Sequence, residues 1–255
     1  MKQKIDRSFD GIANKFARNI YQSSKGQIRQ QVLLRDLAEL TLLNQPCDIL
    51  DVGAGQGQLA IALAKQGHKV HLTDISAEML QIAQRSAEPD ILPLLSFEQV
   101  SLAELANRQV KRYSLILCHA MLEWLAEPNL AISQLKSLLL PGGVLSLMFY
   151  NKDAKRFANI VFGNFDYVEA DFQVKKKVSL NPQHPLAPQD VQLWCQQAGL
   201  AVLAKTGVRC FHDYLRNREL QNSHFDQLLA LELQYNRTEP YASLGRYQHM
   251  LLQAN

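Results

Sequence analysis

Cysteine is sparse in this chain and scattered where it occurs. The four residues, Cys47, Cys118, Cys195 and Cys210, include no C-x-x-C pair, which fits a reduced, cytoplasmic protein without a metal cluster. Long hydrophobic runs are missing as well. Leu138-Leu139-Leu140 stops at Pro141, far short of a membrane span. The opening Met1-Lys2-Gln3-Lys4-Ile5-Asp6-Arg7 has no apolar core of an export signal. Neither sign of charge dominates: the net charge is +3, too small by itself to indicate a nucleic-acid partner. No Ser/His/Asp or Cys/His constellation for nucleophilic catalysis is evident, and no internal repeat or low-complexity segment interrupts the chain. What remains is an ordinary globular balance, 47% hydrophobic and 20% charged over 255 residues, sufficient for one domain with a substantial core.

Within that balance, short apolar runs alternate with helical patterns. Ile49–Val52, Val70–Asp74, a weaker segment at Leu95–Val100, Leu115–Cys118, Val144–Phe149, residues 200–208 and Tyr247–Leu252 read as strands. Helices are expected over 28–43, 57–66, 77–87 with Ser76 as N-cap, 128–140, 190–198 and 224–235. Phe9, Ile12, Phe16 and Ile20 give an N-terminal helix one apolar side. Strands separated by helices predict an α/β fold, a doubly wound, mostly parallel seven-stranded sheet. The expected single domain divides into a helical cover (1–45), a core (46–150), a basic and aromatic lid insertion (151–189) and the C-terminal part of the sheet (190–255).

The segment Asp51-Val52-Gly53-Ala54-Gly55-Gln56-Gly57 directly follows the first strand. Glycines between a strand and a helix let backbone N–H groups approach a ligand. The outline is shared with dinucleotide-binding enzymes, but Asp51 would repel a pyrophosphate and suits a ligand carrying an ammonium and a sulfonium. Asp74 ends the second strand, roughly twenty residues beyond the glycines, where an acid accepts both hydroxyls of a ribose. Ser101–Glu104 follows the third strand and His119 the fourth. Each feature alone has a plain structural reading: a tight turn, an N-cap, a hydrogen-bonded histidine. Their shared placement at strand ends favours a nucleoside ligand.

The glycine segment resembles the first motif of Rossmann-like (class I) methyltransferases, and Leu139-Leu140-Pro141-Gly142-Gly143, read as a helix stop and tight turn, resembles a late one. The resemblance implies S-adenosylmethionine as cofactor. Asp51, Gly53, Ala54 and Gly55 would surround its methionine portion, Asp74 the ribose, Leu102 and Ala103 the adenine, and His119 the region of the transferred methyl.

The flanks are more specific. Phe9 to Tyr21, Lys25-Gly26-Gln27-Ile28-Arg29, His119 to Trp124, Leu145 to Asn151, Gly163 to Val168, Lys205 to Arg209, Phe211 to Arg216 and Leu244 to Tyr247 resemble bacterial tRNA wobble-uridine methyltransferases, over nearly the whole chain from about Asp6 to Tyr247. Those enzymes esterify the carboxylate of 5-carboxymethoxyuridine. The resemblance implies a tRNA anticodon stem-loop as partner and Arg29 as the contact to the cofactor's carboxylate. No catalytic base is needed, because the acceptor carboxylate is already ionised. Arg209 and Arg246 are candidates to hold it, and Tyr150 and Tyr214 to stack on the base or donate hydrogen bonds. Lys152, Lys155, Arg156 and Lys175-Lys176-Lys177, interleaved with Phe157, Phe162, Phe165 and Tyr167, would meet RNA, with Lys15, Arg18 and Lys25 extending that surface. Neither metal nor membrane is expected. Two other readings stay open: a methyltransferase of small or carrier-bound carboxylic acids, and a catalytically silent RNA-binding module.

Overall fold

A computed structural model describes residues 23–108, 111–173 and 184–255. The expected N-terminal helix with Lys15 and Arg18, and the triplet Lys175–Lys177, lie outside those residues.

Seven strands form one sheet: β1 (Asp48–Val52), β2 (Lys69–Asp74), β3 (Leu95–Gln99), β4 (Tyr113–His119), β5 (Leu139–Tyr150), β6 (Leu200–Val208) and β7 (Tyr247–Ala254). Their order is β3-β2-β1-β4-β5-β7-β6. The first five pair in parallel, and β7 inserts antiparallel between β5 and β6. Strand order therefore reverses between β1 and β4, as a doubly wound sheet requires.

Helices cover both faces, which explains why Leu115–Cys118 of β4 reads as a continuous apolar run. On one face α1 (Ser24–Ala38), α2 (Gln58–Ala64) and α3 (Ala77–Ser86) pack Ile28, Val32, Leu37, Leu63 and Ala83 against Ile49, Leu72, Leu115 and Leu117. On the other, α4 (Leu102–Arg108), α5 (Pro128–Ser137) and, later in the chain, α8 (Pro188–Gln197) bring Leu105, Ile132, Leu135 and Val191 against Leu50, Ile116 and Leu145. As expected, Ser76 caps α3, its Oγ accepting the Met79 N–H at 3.2 Å.

Two elements differ from their sequence reading. Residues 141–143 are not a turn between helix and strand. Helix α5 ends at Ser137, and Pro141-Gly142-Gly143 lies inside β5 where its register against β4 shifts. A Cβ on Gly143 would meet the carbonyl oxygens of Leu140, Tyr113 and Ser114 at 2.9, 3.1 and 3.2 Å, so glycine permits a bulge there. Residues 151–189, expected as a basic and aromatic insertion with no helix assigned, begin with two helices, α6 (Lys152–Val161) and α7 (Phe165–Glu169). Buried Asn151 starts α6: its Oδ1 accepts the N–H groups of Asp153 and Ala154. Its Nδ2 donates to the carbonyls of Ser243 and Gly245, tying α6 to the segment before β7. Among the described residues, the remaining α-helices are α9 (Leu220–Ser223) and α10 (Phe225–Tyr235). Among the described residues no helix is long and apolar enough to cross a membrane.

Candidate active site

A cavity of about 530 Å³ opens beyond the carboxyl ends of β1 to β4, beside the reversal of strand order. All nine residues expected at a cofactor line it: Arg29, Asp51, Gly53, Ala54, Gly55, Asp74, Leu102, Ala103 and His119. The glycine loop owes its shape to positive φ angles, +64° at Gly53, +55° at Gly55 and +65° at Gly57. A Cβ on Gly57 would lie 2.6 Å from Leu72 Cδ2 and 3.1 Å from Ala83 Cβ. Glycine there lets α2 begin tight against β2 and α3.

Asp74 fastens this loop. Its Oδ2 accepts the Gly55 N–H at 2.9 Å and its Oδ1 the Ser76 N–H at 2.8 Å. The turn-residue reading and the ligand reading of Asp74 are thus compatible, because each carboxylate oxygen has a second lone pair. Asp51 is buried at the end of β1. Burial, and then the neighbouring Asp74 charge, push its carboxyl up to about 7, against the pull of Arg29. Arg29 reaches the cavity from α1 and is the one cation among its described lining residues. Ile75, Met79, Leu102 and Leu130 add apolar wall. The cavity thus offers carboxylates for a cation, a guanidinium for an anion and an apolar slot between them.

A second polar cluster lies where the ends of β5, β6 and β7 meet. Tyr150 is buried there, with the Arg246 guanidinium 4.9 Å above its ring, Lys155 Nζ at 6.0 Å and the Tyr247 ring at 5.5 Å. Arg209 comes to the same place but is bound bidentately to Asp213, at 2.7 and 3.1 Å. The loop carrying it is held by buried Glu232 of α10, which accepts the N–H groups of Cys210, Phe211 and His212. Tyr214 is used structurally, its hydroxyl donating to the Leu244 carbonyl at 2.8 Å. The cations of α6 split by direction. Lys152 and Arg156 pair outward with Asp171 and Asp153. Lys155 turns inward among Tyr150, Tyr167 and Phe172, where burial lowers its pKa to about 8. Around Tyr150, neither Arg246 nor Lys155 has a described carboxylate within ion-pair distance, whereas Arg209 and Lys152 do. Three phenylalanines of the 151–189 segment face solvent, Phe157, Phe162 and Phe165, the last 59% exposed. Helix α1 bridges the two regions, since Lys25 feels Asp213, Arg209 and Arg246 while Arg29, one turn on, lines the cavity.

Sequence reasoning passed over Glu123, which is fully buried with neither carboxyl oxygen hydrogen-bonded. Burial pushes its carboxyl up to about 7. Between its unfolded value of 4.5 and about 7 the folded chain holds a proton that the unfolded chain has lost, so this group costs stability as pH rises through that window. Glu123→Gln is therefore expected to gain about 3 kcal/mol at pH 8 and less than about 1 kcal/mol at pH 5, in paired thermal melts. An equal effect at both pH values would show that ionisation is not the cause.

Among the described residues no group of three or more His, Cys, Asp or Glu side chains is placed to hold a metal. Comparison with known proteins agrees with the geometry. Residues 26–205 match a family model described as a methyltransferase domain. The tRNA 5-carboxymethoxyuridine methyltransferase of Escherichia coli (strain K12) is 46% identical over 248 residues, covering 96% of this chain and 95% of that protein. The ubiquinone biosynthesis O-methyltransferase of Coxiella burnetii is 29% identical over 160 residues, 63% of this chain and 66% of that one. Among solved structures, magnesium protoporphyrin IX methyltransferase from Synechocystis PCC 6803 with bound SAH superposes with a TM-score of 0.67 at 18% identity, over 97% of this chain and 96% of that one, a likeness of fold. Family match, strand order and a carboxylate-lined cavity at the switch point converge on one conclusion: the chain belongs to the methyltransferase-domain family.

Proposed function

We propose that this protein transfers a methyl group from S-adenosylmethionine to the carboxylate of 5-carboxymethoxyuridine at the wobble position of tRNA, forming its methyl ester. The observation that carries the reading is the pairing of the two sites. A cavity suited to a zwitterionic nucleoside adjoins, through α1, a buried cluster in which Arg246 and Lys155 lack an anion. The 46% identity with the Escherichia coli tRNA 5-carboxymethoxyuridine methyltransferase supports the substrate.

The residues present fit the cofactor. Asp51 would meet its ammonium, Arg29 its carboxylate, Asp74 the ribose hydroxyls, and Leu102 and Ala103 the adenine, with Gly53, Ala54 and Gly55 allowing close backbone approach. When bound, S-adenosylmethionine supplies a methyl group on a positively charged sulfur. That methyl would be open to attack by the acceptor oxygen, the sulfur leaving with the electron pair of the broken carbon–sulfur bond. No proton moves, so the protein's work is alignment and exclusion of water. Arg246, backed by the Tyr150 ring, would grip the acceptor carboxylate with its planar N–H fork, and Lys155 would add charge. Arg209, through Asp213, would brace that end of the site. Tyr214 would hold the lid base, while the exposed lid aromatics and Lys175–Lys177 would meet the anticodon stem-loop.

Two tests follow. Labelled methyl should pass to tRNA carrying 5-carboxymethoxyuridine and not to free small carboxylic acids; the opposite preference would favour the small-molecule reading. Because Asp51 titrates near 7, cofactor affinity should fall as pH drops below about 7, by up to tenfold per unit, as the carboxylate facing the ammonium is neutralised. Calorimetric titration showing a flat profile from about pH 5.5 to 7.5 would remove Asp51 from that role.

A further inference from the structure

Four buried polar side chains run in a line away from the cavity. His119 Nε2 lies 2.8 Å from Ser146 Oγ, Ser146 Oγ lies 2.8 Å from His249 Nε2, and His249 Nδ1 lies 2.7 Å from Asp36 Oδ2. The first three stand on the adjacent strands β4, β5 and β7, and none of the four is more than 8% exposed. Asp36 belongs to α1, seven residues beyond Arg29 and so two turns along the same face. Its Oδ1 receives the guanidinium groups of Arg35 and Arg237, at 2.8 and 2.7 Å. A column of polar groups across an otherwise apolar layer is costly unless every member is bonded. Here each contact is of hydrogen-bond length, and the line ends in the candidate site.

We propose that Asp36, His249 and Ser146 form a positioning relay that fixes the tautomer of His119. The proton sits on Nε2 and the Nδ1 lone pair is presented to the ammonium at the amino-acid end of the methyl donor. The inference rests on the cofactor reading above. Its direction follows from the far end of the line. Asp36 is surrounded by donors, and although burial works the other way, His249 and Arg35 hold its carboxyl well below the usual range. A carboxylate only accepts, so His249 carries its proton on Nδ1 and is an acceptor at Nε2. The Ser146 hydroxyl must then donate to His249, which leaves its oxygen to receive the Nε2–H of His119. A doubly protonated His249 would reverse Ser146 and give the other tautomer, but two guanidinium groups already meet the Asp36 charge. Burial, with the Arg29 charge beside it, holds His119 itself neutral, its pKa well below 6.5. His119 ends β4 beside the end of β1, where Cys118 pairs with Val52, so its ring shares the cavity with Asp51.

Nitrogen-15 NMR of the full chain labelled at histidine tests this directly, with the His119 signals identified by their loss in His119→Gln. The expected spectrum of the unaltered protein shows a protonated Nε2 and a bare Nδ1; a protonated Nδ1 would overturn the proposal. Ser146→Ala should remove that fixed signature and weaken binding of S-adenosylhomocysteine about tenfold or more. Affinity for methylthioadenosine, the same nucleoside without the amino-acid end, should change less than about twofold. Equal weakening of both ligands would mean a merely structural role, and no change in either would also refute the relay. Binding of neither ligand by the unaltered protein would instead overturn the cofactor reading, a separable outcome because the tautomer is read without ligand.

Discussion

Asp74→Ala is expected to raise the dissociation constant for S-adenosylhomocysteine by at least about 100-fold. Two ligand hydroxyls would lose a charged acceptor, each contact contributing about 1.5–3 kcal/mol. The same substitution releases the N–H groups of Gly55 and Ser76, so the loop that must approach the ligand loses its tie to β2. Stability should suffer less. Two backbone hydrogen bonds to that carboxylate, at about 1.5 kcal/mol each, correspond to a fall in melting temperature of roughly ten degrees, leaving the protein folded at room temperature. Calorimetry on the folded variant separates the two effects. Cofactor affinity within about threefold of the unaltered protein would remove Asp74 from the ribose site.

Arg246→Ala is expected to lower kcat/KM for methyl transfer to tRNA by about 10²–10³, with S-adenosylhomocysteine affinity unchanged. Loss of one partner from a desolvated, hydrogen-bonded charge pair costs about 2–5 kcal/mol. Arg209 cannot simply replace it, because Nε and Nη2 of that guanidinium are held by Asp213. Lys155 remains on the Tyr150 ring but offers a point charge in place of a planar fork. Arg246→Lys should for the same reason recover only part of the loss. Full activity of Arg246→Ala in steady-state methyl transfer would shift the carboxylate anchor to Lys155 or Arg209.

The cavity was legible in the sequence because its requirements are local. Glycines at positive φ, an acid closing a strand and a helix start each sit within a few residues of a strand end, and the fold aligns those ends at one rim. The relay was not legible. Ser146 lies within an apolar strand run, His249 is one residue of an ordinary strand pattern, and Asp36 is a polar position on an amphipathic helix. Only the insertion of β7 beside β5, under α1, brings them together. Lys155 and Arg156 look alike in the chain, yet the helical turn that follows the Asn151 cap sends one inward to Tyr150 and the other out to Asp153. The Pro141-Gly142-Gly143 segment misled for a related reason. Proline and glycines commonly mark a turn, but the close approach of three carbonyl oxygens at Gly143 serves a bulge inside a strand as well.

Mass spectrometry of wobble nucleosides from cells with and without the gene shows whether this protein esterifies the carboxylate of wobble 5-carboxymethoxyuridine. Without the gene the methyl ester should disappear and 5-carboxymethoxyuridine accumulate in its place, and purified protein with S-adenosylmethionine should restore the ester. An unchanged nucleoside profile would refute that activity.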